Sequence, residues 1–203
     1  MIRAFFILVL ISLSGTASAT DDAWRTDPTA FINHFATAGI DSILTADIDE
    51  TEKAKRFRAL FNDGFDIPAI SRFVLARNWR TASNTEQQEF ISVFENVIVA
   101  TWSRRFSEYS GQTIKVLSTT PDGDSGTLVD TAIVDSTGQN IGQSIAVQWR
   151  LRQREDGLRI VDVIVEGVSM AITYRQDYAS AIRQQGGLQG LLTELRKQAG
   201  KPS

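Results

Sequence analysis

Apolar residues recur at spacings of three and four up to about residue 109, alternate between Thr113 and Glu166, and return to helical spacing after Ser169. Asp27-Pro28 supplies an N-cap with proline at the first helical position. Phe31, Ile32, Phe35, Ile40 and Ile43 then form a stripe, interrupted by Gly39, that packs on the core. Lys53 to Phe61 reads as a more polar helix ending before Asn62-Asp63-Gly64, and Ile67 to Leu75 as a short third one. The longest helix is predicted from Glu86 to Tyr109, about 35 Å at 1.5 Å per residue, and Ser83 with Glu86, or Thr85 with Gln88, forms a capping box at its start. Its wide apolar face carries Phe90, Phe94, Val97, Ile98, Trp102, Phe106 and Tyr109.

The alternating half predicts strands over Thr113 to Thr119, Thr127 to Val134, Ser144 to Arg152 and Leu158 to Glu166, joined by turns at Pro121-Asp122-Gly123, Thr137-Gly138 and Asp156-Gly157. These are successive hairpins of an antiparallel sheet. In the third strand Ile145, Val147, Trp149 and Leu151 share one face, and Gln148, Arg150 and Arg152 the other. The fourth is largely apolar on both faces, so helices must cover the sheet, which gives an α+β layer architecture. Glu166-Gly167 ends the last strand, and Gly186-Gly187 breaks the C-terminal helical region in two.

Residues 1–19 change the compartment. Arg3, the short apolar run Ala4 to Leu13 and the small residues Ala17-Ser18-Ala19 read as a secretory signal peptide, too short to span a bilayer. The remainder, 20–203, reads as one secreted domain, long enough to hold together through its core without a single cysteine. A composition of 42% hydrophobic and 22% charged residues excludes disordered and collagen-like classes. A net charge of −3 argues against a nucleic-acid partner or a general affinity for anionic membranes.

Candidate chemistry is sparse, and no catalytic residue, metal site or cofactor is expected. His34, the only histidine, sits between Phe31 and Phe35 and reads as a satisfied or solvent-facing side chain and not a ligand, and Asp47 to Glu50 and Asp122 to Asp124 lack the terminal glutamate of a calcium loop. No nucleophile elbow or phosphate-cradling glycine loop is present. Asp162 and Glu166 are the carboxylates to weigh. As buried general bases in an apolar pocket they would make the chain an isomerase- or hydrolase-like enzyme; paired with arginines such as Arg80, Arg150 or Arg175 they would fix the sheet-to-helix junction. Ser169 reads as the cap of the helix that follows.

The order of several short segments is more specific than any one of them. These are Phe65-Asp66, Arg72-Phe73-Val74-Leu75, Asn78-Trp79-Arg80-Thr81-Ala82-Ser83, Gln148-Trp149-Arg150, the run from Asp162 to Tyr178, and Gly186 to Leu191. Together, from about Phe61 to Leu195, they resemble the MlaC-type periplasmic phospholipid carriers, the toluene-tolerance family of ABC-transporter auxiliary proteins. The chain departs from the pattern at Ala76, where glycine is expected; the turn after Leu75 is therefore read as more helical here. The resemblance implies a curved antiparallel sheet covered by helices on its concave side, a cone like that of nuclear-transport factors. It also implies glycerophospholipid as bound cargo, and an inner-membrane ABC transporter complex and an outer-membrane lipoprotein complex as transient partners in maintaining outer-membrane lipid asymmetry. On that basis the lipid-binding residues are Phe94, Val97, Ile98 and Trp102 on the long helix, and Val129, Ile133, Val147, Trp149, Val163 and Val165 on the strands. Alternation alone leaves open which sheet face is concave.

Overall fold

The computed structural model describes residues 23–135, 137 and 145–200. The leader over 1–19, the Gly138 turn position and Ser144 at the predicted start of the third strand lie outside them.

Asp27 caps α1 (Pro28–Gly39), its carboxylate accepting from the Ala30 amide at 2.7 Å. The chain then widens into a π-helical turn, Ile40–Leu44, before Asp49 caps α2 (Glu50–Gly64). This helix is longer than predicted at both ends. The Asp49 carboxylate holds the Glu52 amide at 2.8 Å, and Asn62-Asp63-Gly64 continues the last turn instead of ending it. α3 (Ile67–Leu75) has its predicted limits, with Asp66 as cap.

A short helix not predicted, α4 (Arg77–Thr81), follows Ala76, which has φ 51 and ψ −118. Ala76 itself is not helical: alanine here adopts a backbone conformation that favours glycine. Such strain costs about 1–3 kcal/mol. Ala76→Gly is expected to raise stability by about 1 kcal/mol in denaturant unfolding, after part of the relief is lost to the freer unfolded chain.

α5 (Asn84–Ser103) begins with the predicted capping box, Ser83 and Glu86 each engaging the other's backbone amide. It stops at Ser103, short of Tyr109. The chain tightens into a 3-10 turn, Phe106–Glu108, that sets Phe106 edge-on to Phe57 of α2 with ring centroids 5.3 Å apart. Tertiary packing thus overrides the helical period of the sequence.

Four long strands, β1 (Thr113–Pro121), β2 (Gly126–Val134), β3 (Ala146–Arg154) and β4 (Gly157–Val165), and the two-residue β5 (Val168–Ser169) form one antiparallel sheet in sequence order. Bulges between Val116 and Ser118 and opposite Arg150 and Leu151 bend the strands, and the sheet is curved. The second bulge explains why β4 is apolar on both faces. Val163 and Val165 pair with Trp149 and Val147, but past the bulge Ile160 pairs with Leu151, so the inward positions change from odd to even numbers. Glu166 (φ 48) and Gly167 (φ 78) make the tight turn into β5, and Ser169 caps α6 (Met170–Gln184) through the Ile172 amide at 3.1 Å. Gly186 and Gly187, both at positive φ, separate it from α7 (Leu188–Ala199).

The fold is α+β, with two packed regions. Phe31 and Ile32 of α1 lie on the inner sheet face against Val129, Val147, Trp149, Leu151, Leu158 and Ile160. A second cluster joins α3, α5, α6 and α7 around Phe90, Phe94, Val97, Ile98, Tyr178 and Leu192. Burial pushes the Tyr178 phenol far above its ordinary range and that of Tyr174 in the same direction. Among the described residues no helix is long and apolar enough to cross a membrane.

Candidate functional site

The end of α1, the π turn and α2 do not seal onto the first hairpin of the sheet. They leave an apolar cavity of about 250 Å³. Phe35, Ala36 and Gly39 of α1, with Ile40, Ile43 and Leu44 of the π turn, form one wall, and Phe57 and Leu60 of α2 another. Ile114 of β1 and Ile133 of β2, cross-strand partners, are the floor; Phe106, Tyr109, Gln112 and Thr113 border the side where α5 hands over to the sheet. Gly64 lets α2 approach α1, since a Cβ there would stand 2.6 Å from Phe35 Cε2, whereas a Cβ at Gly39 would make only an ordinary contact, 3.4 Å from Leu60 Cδ2. Deeper along the floor, Phe35 packs edge-on to Trp149 at 5.8 Å and to Phe65 at 5.7 Å.

The sheet beside the floor is pinned by side-chain hydrogen bonds. The buried Thr131 hydroxyl donates to the Val147 carbonyl at 2.7 Å and accepts from the Trp149 indole N–H at 3.0 Å, so the indole is fixed with no unpaired donor. The wall above is a single π-helical turn, a form that occurs mostly in isolated turns and often at functional sites. It is tied to α2 where Arg56 Nη1 donates to the Ser42 carbonyl at 3.0 Å.

The ten residues expected to bind lipid are divided by this arrangement. Val129, Ile133, Val147, Trp149, Val163 and Val165 share the inner sheet face by register, and Ile133 borders the cavity. Phe94, Val97 and Ile98 are buried in the helical cluster, because α5 packs mainly on α2, α3 and α7. Trp102 is 42% exposed, with the Arg105 guanidinium 5.9 Å from its ring centroid. Sequence reasoning assigned Phe35, Ile40 and Ile43 only to core packing. The signal that distinguishes them is Gly39 within their stripe, beside polar Asp41 and Ser42.

The carboxylates stand elsewhere. Asp162 is on the sheet face opposite the cavity, its side chain 3% exposed. It accepts from the Ala171 amide at 3.0 Å, the Ser169 hydroxyl at 2.6 Å and Arg150 Nη1 at 3.2 Å. Arg150 also reaches Asp122 at 3.0 Å; the Arg152 hydrogen bond, and then the charges of both arginines, hold the Asp122 carboxyl below the usual range. The exposed Glu166 accepts from the Ala146 amide across the β3–β4 pair. His34 stacks on Trp24 at 3.7 Å. Among the described residues no group of three or more His, Cys, Asp or Glu is placed to hold a metal ion.

A larger, open groove of about 620 Å³ runs along β1, lined by its residues Thr113 to Thr119 with Thr29 and Asn33 of α1. Its lining is as polar as it is apolar, whereas that of the smaller cavity is almost wholly apolar.

Comparison with known proteins agrees with this fold. The phospholipid-binding protein from Ralstonia solanacearum, solved in complex with a phospholipid, has the same fold at a TM-score of 0.74 and 18% identity, over 86% of this chain and 97% of that one. The profile of the MlaC protein family matches residues 38–197, and the chain belongs to that family.

Proposed function

We propose that the chain is a periplasmic phospholipid carrier and not an enzyme. The apolar cavity between the α1–α2 hairpin and the first sheet hairpin carries this reading. Membership of the MlaC family and the phospholipid bound by the Ralstonia protein support it. The cargo is glycerophospholipid, its chains lying along the inner sheet face past Ile133 toward Val129, Val147, Trp149, Val163 and Val165. At about 0.8 kcal/mol per buried methylene, two long chains represent on the order of 20 kcal/mol in either a bilayer or a pocket, so extraction requires nearly equal burial in the protein. A cavity of about 250 Å³ is below the range of about 300–1,000 Å³ typical of ligand pockets. Loading therefore involves separation of the α1–α2 hairpin from β1 and β2, with the π turn as the segment that gives way.

In this reading residues 1–19 are a signal peptide, 20–203 a single lipid-binding domain, and the carrier moves between an outer-membrane lipoprotein complex and an inner-membrane ABC transporter complex to maintain lipid asymmetry. The enzyme alternative has little support, since Asp162 faces away from the cavity and all three of its donors belong to the sheet-to-helix junction. The test is transfer of labelled phospholipid from vesicles through the chain to proteoliposomes holding the transporter complex. Carrier-dependent transfer that saturates with chain concentration is expected; uptake without delivery would restrict the function to lipid binding.

A further inference from the structure

β1 is an open edge of the sheet. The other edge, β5, is two residues long and runs straight into α6, whereas β1 presents nine residues. Among the described residues no hydrogen bond reaches the backbone of Thr113 to Thr119 apart from the ladder to β2. In such a strand alternate amides and carbonyls point away from the sheet and stay open to a partner. The groove of about 620 Å³ follows this edge: consecutive residues Thr113 to Thr119 line it, and since neighbours in a strand point to opposite faces, it lies along the edge and not on either face. Thr29 and Asn33, one turn apart on α1, form its wall. Two side chains in it stand free. Leu117, the extra residue at the bulge, is 60% exposed, and Lys115, the only charged residue of the lining, makes no ion pair among the described residues. The groove and the apolar cavity share Thr113 and Ile114.

We infer that the β1 edge is the docking site for an extended, acidic segment of a partner protein, which adds a strand to the sheet beside the cavity. The inference rests on the carrier reading and adds the surface through which a membrane complex engages the carrier. Main-chain hydrogen bonds give an added strand its affinity, and alternate side chains its specificity. Here Lys115 selects an acidic side chain and Leu117 an apolar one. The bulge, Lys115 and Pro121 guard the same edge against indiscriminate pairing. A second copy of the chain fits the edge poorly: antiparallel pairing of two β1 strands would set both bulges in one ladder and bring both α1 helices, each packed on its own β1, to the same seam. A single strand in the groove stands against Thr29 and Asn33, on the helix that separates from β1 and β2 when lipid is exchanged. Docking is thereby coupled to opening.

The experiment is amide hydrogen exchange of the lipid-loaded chain, alone and with proteoliposomes holding the transporter complex or, separately, the lipoprotein complex. It is run on the parent and on the K115E/L117E double variant. Both side chains are exposed, so the variant keeps its fold and its lipid. In the parent the outward amides of residues 113–119 are expected to exchange freely alone and about tenfold more slowly with at least one complex. In the double variant that protection should disappear and lipid transfer fall by about tenfold, with lipid occupancy unchanged. A lipid-loaded parent that binds the complexes without slowing at β1, or binds neither, would overturn the inference and leave lipid carriage intact, as would a double variant that transfers lipid like the parent. A parent that holds no phospholipid and binds neither complex would overturn both. Slowing at β1 in the chain alone would overturn the partner assignment: a concentration-dependent effect would make a second copy the occupant, and a concentration-independent one would show that the chain covers its own edge.

Discussion

Asp162→Asn is expected to lower stability by about 3 kcal/mol while leaving the lipid occupancy of the molecules that remain folded unchanged. The carboxylate is buried and takes three donors, from the Ala171 amide, the Ser169 hydroxyl and Arg150. An amide keeps one acceptor oxygen and turns an N–H₂ group toward donors, and Arg150 loses its buried counter-charge. Breaking a buried pair from one side costs about 3–5 kcal/mol, and the remaining Asp122 contact to Arg150 keeps the loss near the lower limit. A general base behaves in the opposite way: its removal spares or improves stability and lowers turnover by about 10²-fold or more. Thermal unfolding, run with lipid transfer and a hydrolase and isomerase substrate screen, separates the two. A reaction catalysed by the parent and lost in this variant without loss of stability would make Asp162 catalytic.

Ala36→Trp should abolish lipid binding with little cost to folding. Ala36 borders the cavity, so an indole there occupies space that is already apolar and unfilled, and the displaced volume is that needed by an acyl chain. Val147→Trp adds bulk beneath the same floor, but at a site 5% exposed within the sheet cluster, where overpacking costs about 1–3 kcal/mol or more. The two substitutions therefore dissociate blocking from destabilisation. Folded Ala36→Trp protein with undiminished lipid occupancy would show that the chains run elsewhere, beginning with the helical cluster around Val97.

Where a local rule decides the outcome, the sequence is readable in detail. The Asp27 and Ser83 caps, the Ile67–Leu75 helix, the order of the strands, the Ser169 cap and the glycine break before α7 all follow from one or two residues and their neighbours. The site is harder to read because periodicity shows which face of an element is buried and not what covers it. Val97 and Val147 have equally apolar surroundings in sequence, yet the first is in the helical cluster and the second in the sheet cluster. Ile40 and Ile43 continue the α1 stripe, but the π turn swings them over the first hairpin, where they form a cavity wall. The end of α5 depends on a contact between Phe106 and Phe57, some fifty residues apart, which no helical pattern contains.

The central claim, that the cavity carries phospholipid, is tested most directly by organic extraction and mass spectrometry of the protein purified from bacteria without detergent. The account predicts glycerophospholipid in stoichiometric amount with the protein, lost from the Ala36→Trp variant purified in the same way. Folded protein that yields no phospholipid, and takes up none from vesicles, would contradict it.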